Sequence, residues 1–300
     1  MKISKRTKGN LLLLLAAFIW GTAFVAQKSG VEEVDPITFN GLRALLGFIV
    51  LLPVIIIGDI KAKKQQNFKS SGIKTTVIGG IVCGIVFLFA TVCQTAAMVG
   101  ADAGKGGFMT SLYIIMVPIS GIFIGKKTRP LVWICAVAAT LGLYLICMKG
   151  SGFSFDRYEI LLLIGAVFFT LQLFAVDHYA PKVNPVKLAA LQFLTVGILS
   201  LVYTIFIDKP TVSTLFNAAF PLIYAGAISL GVGNTLQVIG QKDTEPSVAS
   251  VIMSMEALFA LLAGIALSGD RPDLRELIGC ALMMASILLV QLPERKKEVQ

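Results

Sequence analysis

The amino-acid sequence repeats itself at a spacing of 149 residues. In the first half, Pro36 follows an acidic turn and Arg43 lies seven residues later. In the second half, Pro185 follows Asn184, and Gln192 lies seven residues later. The apolar runs that precede these turns align in the same register. A chain that aligns with itself in this way is a diverged tandem duplication, so its fold must be built from two related units.

The repeat continues farther along the chain at a spacing of 143 residues. Gln94 then aligns with Gln237, and Ser111 aligns with Ser254. The small change in spacing is what an insertion or deletion in a connecting loop produces. We therefore predict two structural units, residues 1–150 and residues 151–300.

Composition places both units in a lipid bilayer. The chain is 56% hydrophobic and 14% charged, whereas a soluble domain is about 25% charged. A bilayer core needs about 20 apolar residues per helix, and each half contains five such segments. Because five is odd, the second copy must cross the membrane in the opposite sense, as in the inverted repeats of many transporters. The predicted fold is an all-α integral membrane protein of ten transmembrane helices, arranged as two inverted five-helix repeats, with spans near residues 10–28, 36–58, 73–98, 103–124, 129–148, 157–177, 184–207, 215–240, 245–267 and 273–292.

The basic residues alternate between connecting segments, which argues against a nucleic-acid partner despite the net charge of +9. With the N-terminus inside, 18 Lys and Arg residues fall on the cytoplasmic side and 7 fall outside, leaving Arg43 within a span. Cytoplasmic segments carry the excess of Lys and Arg in membrane proteins. We therefore predict that both termini are cytoplasmic and that the chain is a multi-pass protein of the cell membrane, in contact with membrane lipids.

No enzyme signature accompanies the spans. The sequence has no HExxH, GxSxG or Walker motif, and Gly231-Val-Gly233 lacks the rest of a dinucleotide site. The five cysteines fall inside spans without metal-ligand spacing and indicate apolar packing. His178 lies beside Asp177 at the end of the sixth span, where it is either an interfacial group or part of a proton relay. We expect no catalytic residue, cofactor or metal.

Polar residues in the middle of spans are the best indicators of a site, because they usually face a cavity or the bundle interior. Thr91 and Gln94 share one face of the third span, and Asn234 and Gln237 share one face of the eighth. As repeat equivalents, Gln94 and Gln237 are expected to approach each other across the pseudo-two-fold axis. The alternative is that they join helices through hydrogen bonds worth about 1 kcal/mol each.

Small residues line one face of the fourth and ninth spans, with Ser111 on the first and Ser254 on the second. Such faces are usually packing surfaces. Pro118 removes one helical hydrogen bond and predicts a kink in the fourth span. Tyr113 and Trp20 are either aromatic cavity walls or interfacial residues.

Two charges lie within spans. Arg43 is roughly 9 Å below the outer end of the second span, close enough to snorkel to the surface or to bond a carbonyl. Glu256 is roughly 16 Å into the ninth span, where it needs a partner, a proton or a wet cavity. Its side chain points about 200° away from that of Ser254, so only one of these two faces can line a cavity.

Several motifs occur in order along the chain: Trp20-Gly21 followed by Phe24, the Pro36 to Arg43 spacing, the run from Ala103 to Pro118, and the run from Ser254 to Gly264 before Gly269-Asp270. Through them the chain resembles the EamA-type branch of the drug/metabolite transporter superfamily over nearly its whole length. The resemblance implies a basket-like ten-helix bundle around a central cavity lined chiefly by spans three, four, eight and nine. It also implies export of amino acids or other small metabolites.

The chain departs from the family pattern at three places. Ala257 follows the glutamate where the family often has proline, and Gly125-Lys126 and Gly269-Asp270 stand where Gly-Glu is common. These differences bear on gating rather than on the fold.

The resulting prediction is a secondary transporter, an exporter of a small metabolite such as an amino acid, that works by alternating access. The alternatives are a lipid-carrier flippase and an intramembrane enzyme, and a proton is the candidate coupling ion. The candidate substrate-binding residues are Gln94, Gln237, Asn234, Ser111, Tyr113, Thr91 and Ser254, and the candidate coupling or cavity charges are Glu256 and Arg43.

Overall fold

The structure is a computed structural model that describes residues 4–64, 72–101, 103–148, 156–268 and 273–292. These residues form helices joined by turns, with no β-strand among them. The α-helices are α1 (Lys5–Glu33), α2 (Pro36–Lys64), α3 (Ile73–Met98), α4 (Ala103–Thr110), α5 (Tyr113–Phe123), α6 (Pro130–Cys147), α7 (Arg157–Tyr179), α8 (Pro185–Tyr203), α9 (Val212–Asn217), α10 (Ala219–Ile223), α11 (Thr235–Gln241), α12 (Pro246–Met253), α13 (Glu256–Ser268) and α14 (Leu274–Val290).

Eight helical segments of the described chain are long and apolar enough to cross a membrane. They coincide with the first eight predicted spans. The ninth predicted span contains a shorter apolar helix, Pro246–Leu262, and the tenth contains α14, which has 17 residues. An all-helical membrane protein is therefore confirmed, while the total of ten spans and their inverted arrangement stay predictions.

Polar residues stop and start the helices outside the apolar segments. The side chains of Asp156 and Asn184 accept hydrogen bonds from backbone N–H groups in the first turns of α7 and α8. Asp273 and Glu276 form a reciprocal capping box at the start of α14. Such caps satisfy the N–H groups that a helix leaves unpaired at its N-terminus.

Helices of the two halves pack against each other throughout the structure. The most extensive contacts join α3 to α7, α6 to α14, and α2 to α8. In lipid, helix association depends on close packing, which small residues allow. A Cβ atom added to Gly142 of α6 would lie 2.7 Å from the carbonyl oxygen of Gly279 of α14, and one added to Gly279 would lie 2.6 Å from that of Gly142. These two glycines set the spacing between the last helices of the two halves.

The fourth and ninth predicted spans are each broken in two, which the sequence did not predict. The break lies at Ser111–Leu112 and Ser254–Met255 rather than at Pro118, which lies inside α5. At both breaks, tight i to i−3 hydrogen bonds replace the α-helical pattern. The corresponding bonds are separated by 143 residues: Leu112 N–H to the Met109 carbonyl and Met255 N–H to the Ile252 carbonyl, each 3.3 Å, and Ile114 N–H to the Ser111 carbonyl (3.0 Å) and Ala257 N–H to the Ser254 carbonyl (3.3 Å).

The eighth predicted span is also irregular. Between α10 and α11 it winds as a π-helix over Tyr224–Asn234. π-Helical turns are rare and frequently occur at functional sites. Gly226 in this segment packs on α2, where an added Cβ would lie 2.8 Å from the Arg43 carbonyl oxygen. The π-helix ends at Asn234, one of the predicted site residues.

Candidate functional site

A cavity lies between the two halves of the chain. Its walls come from α1, α2, α3, α4 and α5 of the first half, and from α7, the π-helix, α11, α12 and α13 of the second. Its lining contains polar, aromatic and aliphatic side chains. A ligand site for a small molecule is usually a concave, largely apolar space with a few well-placed polar groups, and this cavity has that character.

Seven of the nine candidate residues line the cavity: Arg43, Thr91, Gln94, Tyr113, Asn234, Gln237 and Glu256. Ser111 lies behind Glu256 and contacts it, as described below. Ser254 is directed elsewhere, because its hydroxyl donates to the Val251 carbonyl oxygen at 2.8 Å beside the helix break. The face of the ninth predicted span that carries Glu256, and not the face that carries Ser254, therefore lines the cavity.

Glu256 is the first residue of α13 and is only 5% exposed. Its Oε1 atom accepts a hydrogen bond of 2.9 Å from the Ser111 hydroxyl. The Tyr113 hydroxyl is buried beside both groups, but it makes no hydrogen bond of good geometry with any described residue. The partial positive charge of the α13 N-terminus also favours a carboxylate there. Within the described chain, no Lys or Arg side chain pairs with Glu256.

Arg43 is 2% exposed and is held by amide oxygens. Its Nη1 atom donates to Gln27 Oε1 at 2.7 Å. Its Nε and Nη2 atoms donate to Asn40 Oδ1 at 3.1 and 2.8 Å, and Asn40 Nδ2 donates to Thr91 Oγ1 at 2.9 Å. Arg43 thus neither snorkels to the surface nor bonds a carbonyl of the backbone. It has no acidic partner among the residues that the structure describes.

The second half contributes a chain of buried amides. Gln192 Nε2 donates to Asn234 Oδ1 at 3.0 Å, and Asn234 Nδ2 donates to Gln237 Oε1 at 2.8 Å. Gln237 Nε2 then donates to Gln172 Oε1 at 3.2 Å and to Gln241 Oε1 at 3.3 Å. All hydrogen-bonding atoms of the Gln237 side chain are therefore used inside the protein.

The repeat partners Gln94 and Gln237 line the same cavity but are not hydrogen-bonded to each other. Gln94 Nε2 makes one long contact of 3.5 Å with Thr110 Oγ1. Gln94 consequently keeps hydrogen-bonding capacity for a ligand, whereas Gln237 serves to join helices. These contacts favour a ligand-binding role for Gln94 and a helix-joining role for Gln237, and the ligand-binding role stays a prediction.

Aromatic rings form the apolar part of the wall. Trp20 lines the cavity, and its Nε1 atom donates to the Ser229 carbonyl oxygen at 3.3 Å. The ring of Phe169 lies 6.3 Å from that of Phe87 and 6.5 Å from that of Tyr113, measured between centroids. Rings at this spacing make favourable edge or tilted contacts. An apolar group of a ligand would pack against these rings.

The cavity includes side chains that sequence reasoning missed: Gln27 and Gln172, with Phe24, Phe87 and Phe169. Asn40 and Gln192 support the cavity from behind. Gln172 satisfied the criterion that identified Gln94, since it is a lone amide in an apolar run. Gln27 did not, because it stands next to Lys28 near the end of its span. The supporting position of Gln192 could be recognised only from the way the helices pack.

The other titratable groups that the structure describes do not line the cavity. His178 is exposed and its Nε2 atom lies 2.6 Å from Lys182 Nζ. Lys126, which departs from the family pattern, pairs with Asp177. The described cysteines are free, and no group of three His, Cys, Asp or Glu side chains in the described ranges could hold a metal ion. Gly269-Asp270 and the basic C-terminal residues lie outside the described residues.

Comparison with known proteins agrees with this architecture. The model of the EamA-like transporter family matches the chain twice, over residues 7–148 and 156–292. The chain belongs to the EamA-like transporter family. The resemblance inferred from sequence motifs is therefore confirmed, and the chain is a multi-pass membrane protein of a transporter family rather than an enzyme family.

Similar members of the EamA-like family come from distant organisms. An uncharacterized transporter of Archaeoglobus fulgidus is 28% identical over 291 residues, which cover 96% of this chain and 87% of the relative. The uncharacterized transporter YwfM of Bacillus subtilis is 25% identical and covers 97% of both chains. The uncharacterized inner membrane transporter YedA of Escherichia coli K12 is 21% identical and covers 91% of this chain and 87% of the relative.

A solved crystal structure shares the fold. It superposes with a TM-score of 0.74 over 94% of this chain and 96% of the other, at 18% sequence identity. The likeness concerns the arrangement of helices.

Proposed function

We propose that this EamA-like protein is a secondary transporter of the cell membrane that exports a small metabolite such as an amino acid or a related compound. The substrate would bind in the cavity between the two halves. The two halves would form an inverted pair, and alternating access would expose that cavity to one side of the membrane at a time. Both termini would be cytoplasmic, as the distribution of Lys and Arg predicts.

The observation that carries this proposal is a cavity with two opposite charges that lack ionic partners. Arg43 and Glu256 both line it, both are at least nine-tenths buried, and neither makes an ion pair with a described residue. Buried charges are costly unless they are paired. A ligand that carries both an acidic and a basic group would compensate the two charges together, and an amino acid is the simplest such ligand.

The repeated helix break supports alternating access. In transporters with inverted repeats, discontinuous helices often meet at the substrate site. Here the two breaks occupy equivalent positions of the repeat, and Glu256 begins the helix that follows the second break. Backbone that is already released from α-helical bonding can bend at low cost. Export, in contrast, rests on likeness to the family alone.

Uptake by proteoliposomes tests the proposal. We would measure entry of a panel of radiolabelled amino acids, amines and organic acids, with and without a pH gradient, against empty liposomes. Saturable uptake of an amino acid supports the proposal, and its dependence on the gradient identifies the coupling ion. Absence of uptake across the panel, together with retention of a long-chain lipid in native mass spectrometry, would favour the flippase alternative.

A further inference from the structure

The orientation of the buried amides is fixed by one backbone group. Gln241 Nε2 donates to the Leu173 carbonyl oxygen at 2.6 Å. A carbonyl oxygen only accepts hydrogen bonds, so the nitrogen of Gln241 must face Leu173 and its oxygen must face Gln237. Gln237 must then present its nitrogen to Gln241. The side-chain oxygen of Gln237 is left to accept from Asn234, as it does at 2.8 Å.

This constraint also determines how Gln172 is turned. The nitrogen of Gln237 approaches Gln172 as well, and therefore requires the oxygen of Gln172 on that side. Gln172 Nε2 must point away from the amide chain. That nitrogen has no hydrogen-bond partner among the described residues, although Gln172 is 1% exposed and lines the cavity.

An unpaired amide donor at such burial is costly, because water no longer compensates it. Buried polar groups in proteins are nearly always hydrogen-bonded. Rotating the Gln172 amide would not relieve this cost, since it would bring two N–H groups together at Gln237. The protein itself therefore keeps the unpaired donor in this orientation, on a side chain that lines the cavity.

We propose that Gln172 Nε2 is a fixed hydrogen-bond donor that binds a carboxylate oxygen of the transported molecule and so contributes to substrate selection. The proposal rests on the proposed function and extends it to a residue outside the sequence-based candidates. A donor whose orientation cannot reverse favours a ligand acceptor at that point and disfavours an ammonium group. The Tyr113 hydroxyl can rotate and can act as donor or acceptor. It therefore does not favour a ligand acceptor as the fixed Gln172 donor does.

Ligand binding can be followed through Trp20. The sequence contains two tryptophans, and Trp133 of α6 does not line the cavity, so Trp133→Phe leaves Trp20 as the sole tryptophan, which can be excited apart from the tyrosines. We would titrate the purified Trp133→Phe protein with L-phenylalanine and with phenethylamine. The second compound has the same ring and amine but no carboxylate. The aromatic wall suits both compounds equally.

Gln172→Met and Gln192→Met, each in the Trp133→Phe background, form a matched pair. Both side chains are at most 1% exposed, and each substitution removes one hydrogen bond from the chain of buried amides. Gln192 does not line the cavity, and its replacement leaves in place the bond from Gln241 to Leu173 that orients Gln172. A purely structural role therefore predicts similar effects of the two substitutions.

We expect Gln172→Met to weaken L-phenylalanine binding about tenfold, the usual effect of losing a hydrogen bond to a charged group. Phenethylamine binding should stay within about twofold of the parent, a change of less than 0.6 kcal/mol. Gln192→Met should retain most of the parent's preference for L-phenylalanine over phenethylamine.

Equal losses for both ligands, equal losses in both variants, or no binding of L-phenylalanine to the parent protein would each overturn the proposal. In each of these three cases, saturable uptake of any compound in the proteoliposome panel would still support the transport function.

Discussion

The Ser111 hydroxyl, in the first half of the chain, donates a hydrogen bond of 2.9 Å to the Glu256 carboxylate in the second half. Ser111 begins the first helix break, and Glu256 begins the helix after the second break. Movement of one half relative to the other must therefore stretch or release this bond. The carboxylate that faces the cavity is thus tied to the conformation of the protein.

Replacement of Glu256 by glutamine tests whether this carboxylate carries a coupling proton. Glutamine keeps the size and accepts from Ser111, but it cannot take up or release a proton. We expect Glu256→Gln to bind substrate more weakly, because the basic group of the substrate loses its ionic partner, and still to exchange it across the membrane, without concentrating it against a pH gradient. Proteoliposome accumulation and counterflow assays distinguish the two activities. Proton-driven accumulation at the parental rate would assign Glu256 a structural role.

Arg43 is expected to select the acidic group of the substrate. Arg43→Gln keeps hydrogen-bonding capacity toward Asn40 and removes the charge. It should reduce the preference for an amino acid over its methyl ester by about tenfold, because charge-assisted hydrogen bonds are the stronger ones. Competition with radiolabelled substrate measures this ratio. Arg129→Gln, at a guanidinium that bonds the Val290 and Leu292 carbonyls away from the cavity, is the control and should leave it unchanged.

Gln94 and Gln237 should respond differently to alanine substitution. Gln94→Ala removes a residue with one weak internal contact, so binding should weaken while the melting temperature holds. Gln237→Ala leaves Asn234, Gln172 and Gln241 short of one bond each, which should cost at least about 1 kcal/mol of stability. Thermal unfolding and ligand titration of both variants give the comparison. Equal changes in melting temperature and in ligand affinity for the two variants would contradict the different roles inferred from their contacts.

The glycine contact between α6 and α14 should be intolerant of side chains. Gly142→Val places atoms against the Gly279 backbone, and overpacking of this kind costs about 1–3 kcal/mol. Gly58→Val is the control, because a Cβ atom there meets nothing within 4 Å. We expect a lower melting temperature for Gly142→Val alone. Equal melting temperatures would mean that the two helices can separate without loss of stability.

The orientation of the chain can be tested at its C-terminus. A cysteine in place of Glu298, in a background without the five native cysteines, should react with a membrane-impermeant maleimide only after the cells are opened. The expectation follows from the excess of Lys and Arg assigned to the cytoplasmic side. Labelling of intact cells would reverse the proposed topology.

The positions of the helices and seven of the residues that line the cavity could be predicted from the sequence. Apolar length determines where a membrane helix can form, and a polar residue such as Gln94 inside such a segment must face something other than lipid. The helix breaks were not predictable, because Ser111 and Ser254 carry no strong breaking signal and Pro118 suggested another position. The unpaired donor of Gln172 could not be predicted for a different reason. Its orientation depends on the hydrogen bond between Gln241 and the Leu173 carbonyl, which only the folded structure shows.

The two breaks have equivalent backbone hydrogen bonds, but the side chains of their serines bond to different partners. Ser254 returns its hydroxyl to its own helix at Val251, whereas Ser111 reaches across to Glu256. Exchanging the roles of the halves, which alternating access requires, would therefore not reproduce the same set of side-chain bonds. Under the proposed alternating access, the inward-facing and outward-facing forms would then differ in free energy even without a substrate. Gene duplication would provide the two forms, and a few diverged side chains would determine which of them the empty transporter prefers.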